Sequence, residues 1–213
     1  MPEKIGGRIK RFSDWGVQHA CLLAIVVRKD LLGNAYVDKI QACLRSVCNQ
    51  EMEAIEKVAQ ACVDVRRSGH RIYAYLISHF PVHQAGAPGD PKFMVPLKVL
   101  RGETPDETEL ESKLQPGDLF FFLGYYRRPA KAYEIARALK CQIVEVITGT
   151  GAPALEGLEP DYVIHPGWHY TDSLVPVLGY DVRILPASGI MQAAIYWVVL
   201  GEMEKLMNLN WCL

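Results

Sequence analysis

Residues 116–148, PGDLFFFLGYYRRPAKAYEIARALKCQIVEVIT, decide the fold. The turn residues at 115–118 precede a continuous apolar run at residues 119–123, which is typical of a strand buried on both faces of a sheet. Helical spacing predicts a helix over residues 130–139, and residues 142–147 form a second apolar run. A strand, a helix and a strand in this order make a right-handed crossover between parallel strands.

The sequence before and after this unit continues the same pattern. Apolar residues at helical spacing over residues 35–67 predict one long helix or two, and residues 71–77 predict a buried strand. Ser188 is a good N-cap for a final helix, which is apolar on nearly all sides to residue 200 and is therefore predicted to be buried. Shorter strands are predicted at residues 95–100, 161–165 (an edge strand) and 183–185.

Together these elements predict an α/β three-layer sandwich, in which helices flank a mostly parallel, doubly wound sheet. We assign residues 35–213 to a single domain of this class, because a chain of this length with half of its residues hydrophobic can bury one sizeable core. Residues 1–34 fit the pattern poorly and are predicted to be an amino-terminal extension.

Composition excludes several partners. With 23 basic and 24 acidic residues the net charge is −1, so the chain has no global field that would hold a nucleic acid. The apolar run at residues 20–27 is too short for a membrane span and lacks a cleavage site, so we expect neither a signal nor a membrane anchor. The six cysteines form no CxxC pair and are expected to be reduced, buried thiols of a cytoplasmic protein.

The order of elements and four motifs resemble the sugar isomerase (SIS) family of phosphosugar isomerases and binding domains. The likeness covers residues 35–205. It implies an SIS-like fold, a sugar phosphate or another small anion as ligand, and a homodimer or larger homo-oligomer. The motifs are GHRIY at 69–73, PGDLFFF at 116–122, CQIVEVIT at 141–148 and SGIMQAAI at 188–195.

The resemblance also places the ligand site. In SIS proteins a loop rich in small hydroxyl residues holds the sugar phosphate at a helix amino terminus. Here that loop has no such hydroxyls, but its two guanidinium groups are suited to bidentate phosphate binding. The alternative is that the arginines are solvated surface charges and the tyrosines close an unused pocket. The loop reads Gly124, Tyr125, Tyr126, Arg127, Arg128 and Pro129.

Ser78 occupies the place of a family serine at the end of the first strand, and His79 follows it. Ser188 and Gln192 of the final helix complete the predicted ligand-binding set. A buried Gln192 amide must hydrogen-bond either a ligand or a backbone group, because an unpaired buried amide is costly.

The final helix argues against catalysis. Phosphoheptose isomerases that resemble this chain carry a glutamate and a histidine on this helix, in an RIQExH pattern, to move the proton. The present chain keeps Gln192 but has Ala193 and Ile195 in those places. Isomerisation needs a positioned base, and the remaining candidates lie in loops. They are His79, His83, Glu103 and His169.

No metal or organic cofactor is predicted. The residue types and spacing of His165, His169 and Asp172 loosely match a set of metal ligands. However, Pro166 and Gly167 interrupt the spacing and no helix aligns the three side chains. Asp172 resembles an acidic position of a "gDs" segment in related SIS proteins. Neither a GxGxxG motif after a strand nor a Walker loop is present.

The sequence therefore predicts a phosphosugar-binding SIS protein without the usual catalytic pair. One alternative is a non-catalytic regulatory or structural dimer, whose interface would use residues 20–27, Trp197 and Trp211. Another is a true aldose-ketose phosphosugar isomerase with a base recruited from the loop at residues 81–96.

Overall fold

A computed structural model describes residues 31–76, 84–98, 105–125, 127–147, 154–168 and 172–208. The helices are α1 (Leu32–Gln50), α2 (Met52–Arg67), α3 (Glu107–Lys113), α4 (Ala130–Ala138) and α5 (Ser188–Met207). The strands are β1 (Ile72–Leu76), β2 (Val95–Pro96), β3 (Leu119–Leu123), β4 (Gln142–Val146), β5 (Tyr162–Ile164), β6 (Ser173–Val175) and β7 (Ile184–Pro186).

The first five strands form one sheet in the order β2-β1-β3-β4-β5, and every pairing is parallel. Strand β3 lies at the centre, where Leu119 pairs with Ile72 of β1 on one side and with Gln142 of β4 on the other. All five residues of β3 are buried, as expected for a strand that is covered on both faces. The predicted α/β sandwich with a parallel sheet is confirmed.

Side chains alternate between the two faces of each strand, and this alternation divides the core into two halves. Leu119, Phe121 and Leu123 of β3 pack with α1, α2 and α5. Phe120 and Phe122 point to the other face and pack with α3 and α4. Because side chains of a strand alternate between faces, each strand residue near a site belongs to one half of the core only.

Two elements differ in detail from their predictions, one near each end of the described chain. The helical stretch at residues 35–67 is two helices, which meet at Glu51. The strand predicted at residues 183–185 lies at Ile184–Pro186, but it does not extend the sheet. It pairs antiparallel with β6 as a separate hairpin, and the fifth strand of the sheet is β2 instead.

Two burial predictions need correction. The final helix was expected to be buried all round, but Ile190 is 40% exposed, because only one side of α5 faces the core of α2 and the sheet. Cys48 is exposed on α1, whereas Cys62 and Cys141 are buried as expected. Burial raises the pKa of the Cys62 thiol to about 12, so this thiol stays protonated at neutral pH. Within the described residues, no helix is both long and apolar enough to cross a membrane.

We predict that the stability of the fold depends on the central strand and not on the hairpin tip. Leu119 is 0% exposed and Leu178 is 96% exposed. Leu119→Ala should reduce the free energy of unfolding by about 2–5 kcal/mol, since it leaves a cavity in a packed core. Leu178→Ala is the matched control and should change it by less than about 0.5 kcal/mol. Equal midpoints of urea unfolding for the two variants would contradict this assignment of the core.

Candidate functional site

The strand order reverses between β1 and β3, and we take the carboxyl ends of these two strands, called the crevice below, as the candidate ligand site. The chain leaves β1 toward β2 on one side and returns to β3 on the other side of β1. In open parallel sheets ligands bind at such a reversal point, outside the carboxyl ends of the strands. These two strands end at Leu76 and Leu123.

Gly124 is the first residue of the loop that follows β3, and it connects this loop to α5. Its N–H donates to the Val146 carbonyl over 2.9 Å, and its carbonyl accepts a hydrogen bond from Nε2 of Gln192. A Cβ atom at this position would lie 2.0 Å from the ring of Phe122, which is itself buried, so only glycine fits.

Gln192 is fully buried, and its two amide atoms are in different situations. Nε2 binds the Gly124 carbonyl, as the prediction of a backbone or ligand partner allowed. Oε1 has no hydrogen-bond partner in the part of the chain that the structure describes. An unpaired acceptor at 0% exposure is costly, so this oxygen is a candidate acceptor for a donor from outside the described residues.

The amino terminus of α5 is held by Asp172. Oδ1 of Asp172 accepts hydrogen bonds from the N–H groups of Ala187 (3.0 Å) and Ser188 (2.6 Å), and Oδ2 accepts from Oγ of Ser188 (2.8 Å). The N-cap is Ala187, so the prediction that Ser188 caps the helix is wrong. A carboxylate 15 residues earlier in the chain satisfies these donors instead, and it complements the positive end of the helix dipole.

Arg128 is part of a buried ion pair. Its Nε donates to Oε2 of Glu145 over 2.7 Å and its Nη2 donates to Oε1 over 2.8 Å. The Tyr133 hydroxyl donates to the same Oε2 over 2.7 Å. The side chain of Glu145 is 1% exposed and that of Arg128 is 15% exposed, so most of both charges is removed from water.

The pKa shifts of Arg128 and Tyr133 agree with this pairing. The hydrogen bonds to Glu145 raise the pKa of the Arg128 guanidinium, although burial acts in the opposite direction. Burial, with the added charge of Glu145, raises the pKa of the Tyr133 hydroxyl well above its ordinary value. Arg128 therefore neutralises Glu145, and the alternative that it is a solvated surface charge is wrong.

The structure brings together only part of the predicted ligand-binding set. Gly124 contacts Gln192, and Ser188 lies one turn before Gln192 on the same side of α5. Tyr125 is buried in the half of the core that includes α5, and Arg127 is exposed on the loop. Ser78, His79, His83, Glu103, Tyr126 and His169 lie outside the described residues.

Sequence reasoning missed two functional partners in this region, Glu145 and the capping role of Asp172. A signal for Glu145 was present, because a glutamate in the middle of the apolar strand at 142–147 requires a buried partner. No sequence signal identified Arg128 as that partner, 17 residues away. No group of three or more potential metal ligands occurs among the described side chains, and Asp172 is occupied with α5.

Ala193 and Ile195, which the sequence resemblance aligns with the proton-transfer pair of phosphoheptose isomerases, lie on α5 beside Gln192. Ile195 is buried in the core, and Ala193 is half-buried. Neither side chain has an ionisable group, and the packing of Ile195 against the sheet leaves no place for a histidine without repacking.

Comparison with solved structures gives the class of fold. The chain is similar to a phosphoheptose isomerase from Francisella tularensis, with a TM-score of 0.51 and 14% identity over 82% of this chain and 96% of that one. It is also similar to the NanR protein of Vibrio vulnificus complexed with ManNAc-6P, with a TM-score of 0.55 and 9% identity over 89% of this chain and 68% of that one. No protein-family model and no curated protein matches the sequence.

At these identities the likeness is one of fold. The chain has the fold of these sugar-phosphate isomerase and sugar-phosphate binding structures, and the SIS-like architecture predicted from the sequence motifs is confirmed.

We predict that Arg128 and Glu145 stabilise the fold only as a pair. In a Tyr133→Phe background, which removes the third hydrogen bond, Glu145→Met should lower the free energy of unfolding by about 3–5 kcal/mol, because it removes the carboxylate that neutralises the largely buried Arg128 charge. Adding Arg128→Met should recover most of this loss. The measurement is urea unfolding of the Tyr133→Phe background, of this background with Glu145→Met, and of this background with both Glu145→Met and Arg128→Met. If the variant with both changes is no more stable than the variant with Glu145→Met, the pair is not the source of the effect.

Proposed function

We propose that this protein binds a sugar phosphate in the crevice at the carboxyl ends of β1 and β3, and that it does so without the proton-transfer pair of the phosphoheptose isomerases. The observation that carries the proposal is the buried Oε1 of Gln192, which has no partner among the described residues. Both similar structures support the ligand class, since one is a phosphoheptose isomerase and the other holds ManNAc-6P.

The phosphate end of the ligand is assigned to the loop from Gly124 to the start of α4. Arg127 is exposed there and available for a bidentate contact with phosphate. Helix α4 begins at Ala130 after Pro129, and no side chain of the described residues caps its first N–H groups. Uncapped backbone donors and the helix dipole both favour an anion at this position.

The sugar end is assigned to α5. Oε1 of Gln192 can only accept a hydrogen bond, and a sugar hydroxyl is a donor of suitable size. Nε2 of the same Gln192 amide donates to the Gly124 carbonyl, so the orientation of Oε1 is set before the ligand binds. This orientation favours a ligand with a hydroxyl over a bare anion.

Binding without turnover is supported by α5, where Ala193 and Ile195 cannot transfer a proton. Turnover of an aldose-ketose pair would require a base from outside the described residues, for which His79 and His83 are the candidates. The four cysteines of the described residues are free thiols, which supports a reducing compartment such as the cytoplasm for this function.

We predict saturable stabilisation by hexose or heptose phosphates. At a ligand concentration of about 100 times Kd the wild type should gain about 2.7 kcal/mol, seen as a rise in Tm. Arg127→Ala should weaken binding about tenfold or more through loss of a charged contact to phosphate. Arg45→Ala, which removes an exposed arginine from α1, is the matched control and should bind as the wild type does.

Gln192→Leu tests the assignment of the sugar end of the ligand separately from that of the phosphate end. It should weaken binding of the sugar phosphate more than binding of inorganic phosphate, because it removes Oε1 from the sugar end as well as the Nε2 bond to Gly124 of the phosphate loop. The proposal fails if no hexose or heptose phosphate raises Tm, or if Arg127→Ala and Arg45→Ala lose the same affinity.

A second candidate function, assembly as a non-catalytic regulatory or structural homodimer, is favoured by exposed apolar side chains. The first turns of α1 adjoin the β6–β7 hairpin, since the Tyr36 hydroxyl donates to the Pro186 carbonyl over 2.7 Å. Seven large hydrophobic residues are exposed on these elements and at the start of α5. They are Leu31, Leu32, Val37, Leu178, Tyr180, Val182 and Ile190.

We propose that a second copy of the chain covers this apolar surface, because single soluble chains rarely leave so many large apolar side chains in water. Light scattering should give the mass of a dimer or a larger oligomer for the wild type, and the mass of a monomer for Val37→Glu with Tyr180→Glu. The control pair Asp38→Lys and Asp181→Lys changes charge without removing apolar surface and should remain associated. A monomeric wild type would rule out this function.

A further inference from the structure

The sugar end of the proposed site, at Gln192, lies close to a buried negative charge. Asp172 is 5% exposed and binds the start of α5 at Ser188, one turn before Gln192. Oδ2 of Asp172 is 2.8 Å from Oγ of Ser188. Side chains four residues apart on a helix are about 5–6 Å apart, which places the carboxylate about 8 Å from the side chain of Gln192.

The charge of Asp172 is only partly compensated. Among the residues that the structure describes, no lysine, arginine or histidine forms an ion pair with it. Its two oxygens accept hydrogen bonds from uncharged donors, which are the N–H groups of Ala187 and Ser188 and the Ser188 hydroxyl. The positive end of a helix dipole is equivalent to about half an elementary charge, so about half of the negative charge remains.

This charge acts beyond its own hydrogen bonds. The Tyr36 hydroxyl donates to the Pro186 carbonyl just before α5, and burial together with the charge of Asp172 raises the pKa of this hydroxyl. Asp172, Ser188 and Gln192 are all buried. Screening by bulk water is therefore weak between the carboxylate and Gln192.

Helix capping alone does not account for an aspartate at this position. Asp172 has a φ of +57° and Leu185, at the other end of the β6–β7 hairpin, has a φ of +65°. Both values lie in the left-handed region, which costs energy for residues other than glycine. A serine or asparagine in place of Ala187 would satisfy the same helix donors locally and without a charge.

A second anionic group at the sugar end of the ligand would be repelled by this carboxylate. At about 8 Å and an effective dielectric constant of about 20, a full unit charge weakens the binding of an anion about thirtyfold. Half a charge weakens it about fivefold. The phosphate itself is assigned to the loop before α4 and lies outside this effect.

We propose that Asp172 is a specificity residue, which restricts the site to sugar monophosphates with an uncharged sugar end and discriminates against phosphosugar acids and sugar bisphosphates. The inference rests on the proposed function and extends it from the phosphate to the sugar end of the ligand. It requires no contact between Asp172 and the ligand, because the carboxylate acts through its charge.

The test compares two matched pairs of ligands by titration calorimetry on the full chain. Sorbitol 6-phosphate and 6-phosphogluconate are open chains that differ in a carboxylate at carbon 1. Fructose 6-phosphate and fructose 1,6-bisphosphate differ in a second phosphate. In each pair we expect the wild type to bind the compound with the additional anionic group about fivefold more weakly or worse.

Asp172→Asn removes the charge, keeps an Oδ1 acceptor for the start of α5, and suits the left-handed φ. It should reduce the affinity ratio in each pair to less than about twofold. Asp181→Asn makes the same substitution at an exposed position between β6 and β7 and should keep the wild-type ratio. A purely structural role of Asp172 would change both affinities of a pair by the same factor, so the ratio separates charge from structure.

Circular dichroism and Tm establish folding for each variant, and the wild-type ratios decide the question if Asp172→Asn does not fold. The inference is overturned if the wild type binds both members of each pair equally well, or if Asp172→Asn discriminates as strongly as Asp181→Asn. Equal binding of all four compounds would leave the proposed function standing. A wild type that binds no sugar phosphate would contradict both.

Discussion

The structure depends on β3, because this strand is bonded along both edges and covered on both faces. Its backbone pairs with β1 and β4, and its side chains supply the centre of both halves of the core. A parallel strand in this position must be apolar along its whole length, and LFFFL at residues 119–123 meets that requirement. The loops at its carboxyl end inherit their positions from this packing, which is why the candidate sites lie there.

The loop from Gly124 to Pro129 divides its contacts between the two faces of the sheet. At its start the Gly124 carbonyl binds Gln192 of α5, and near its end Arg128 binds Glu145 on the α4 side. Arg128 therefore stabilises the loop from one face, whereas Arg127 is exposed. The two adjacent arginines look equivalent in the sequence but lie in different environments, because only Arg128 is paired with the buried Glu145.

Much of the fold was predictable because it follows from local patterns. The apolar run of β3 and the helical spacing of α4 fix these elements within a residue of the observed bounds. What could not be predicted depends on contacts between distant residues. Asp172 reaches the start of α5 across 16 residues, Arg128 reaches Glu145 across 17, and Ile184–Pro186 pairs with Ser173–Val175 instead of joining the sheet. Of the candidate site, sequence reasoning identified Gly124 and Gln192 but not their mutual hydrogen bond.

The most direct test of the proposed function is a crystal structure of the protein with a bound hexose phosphate. We predict that the sugar phosphate lies outside the carboxyl ends of β1 and β3, with the phosphate near Arg127 and the start of α4. We also predict a sugar hydroxyl within hydrogen-bond distance of Oε1 of Gln192. A hexose phosphate bound elsewhere on the chain, or a Gln192 oxygen that makes no contact with it, would contradict the account.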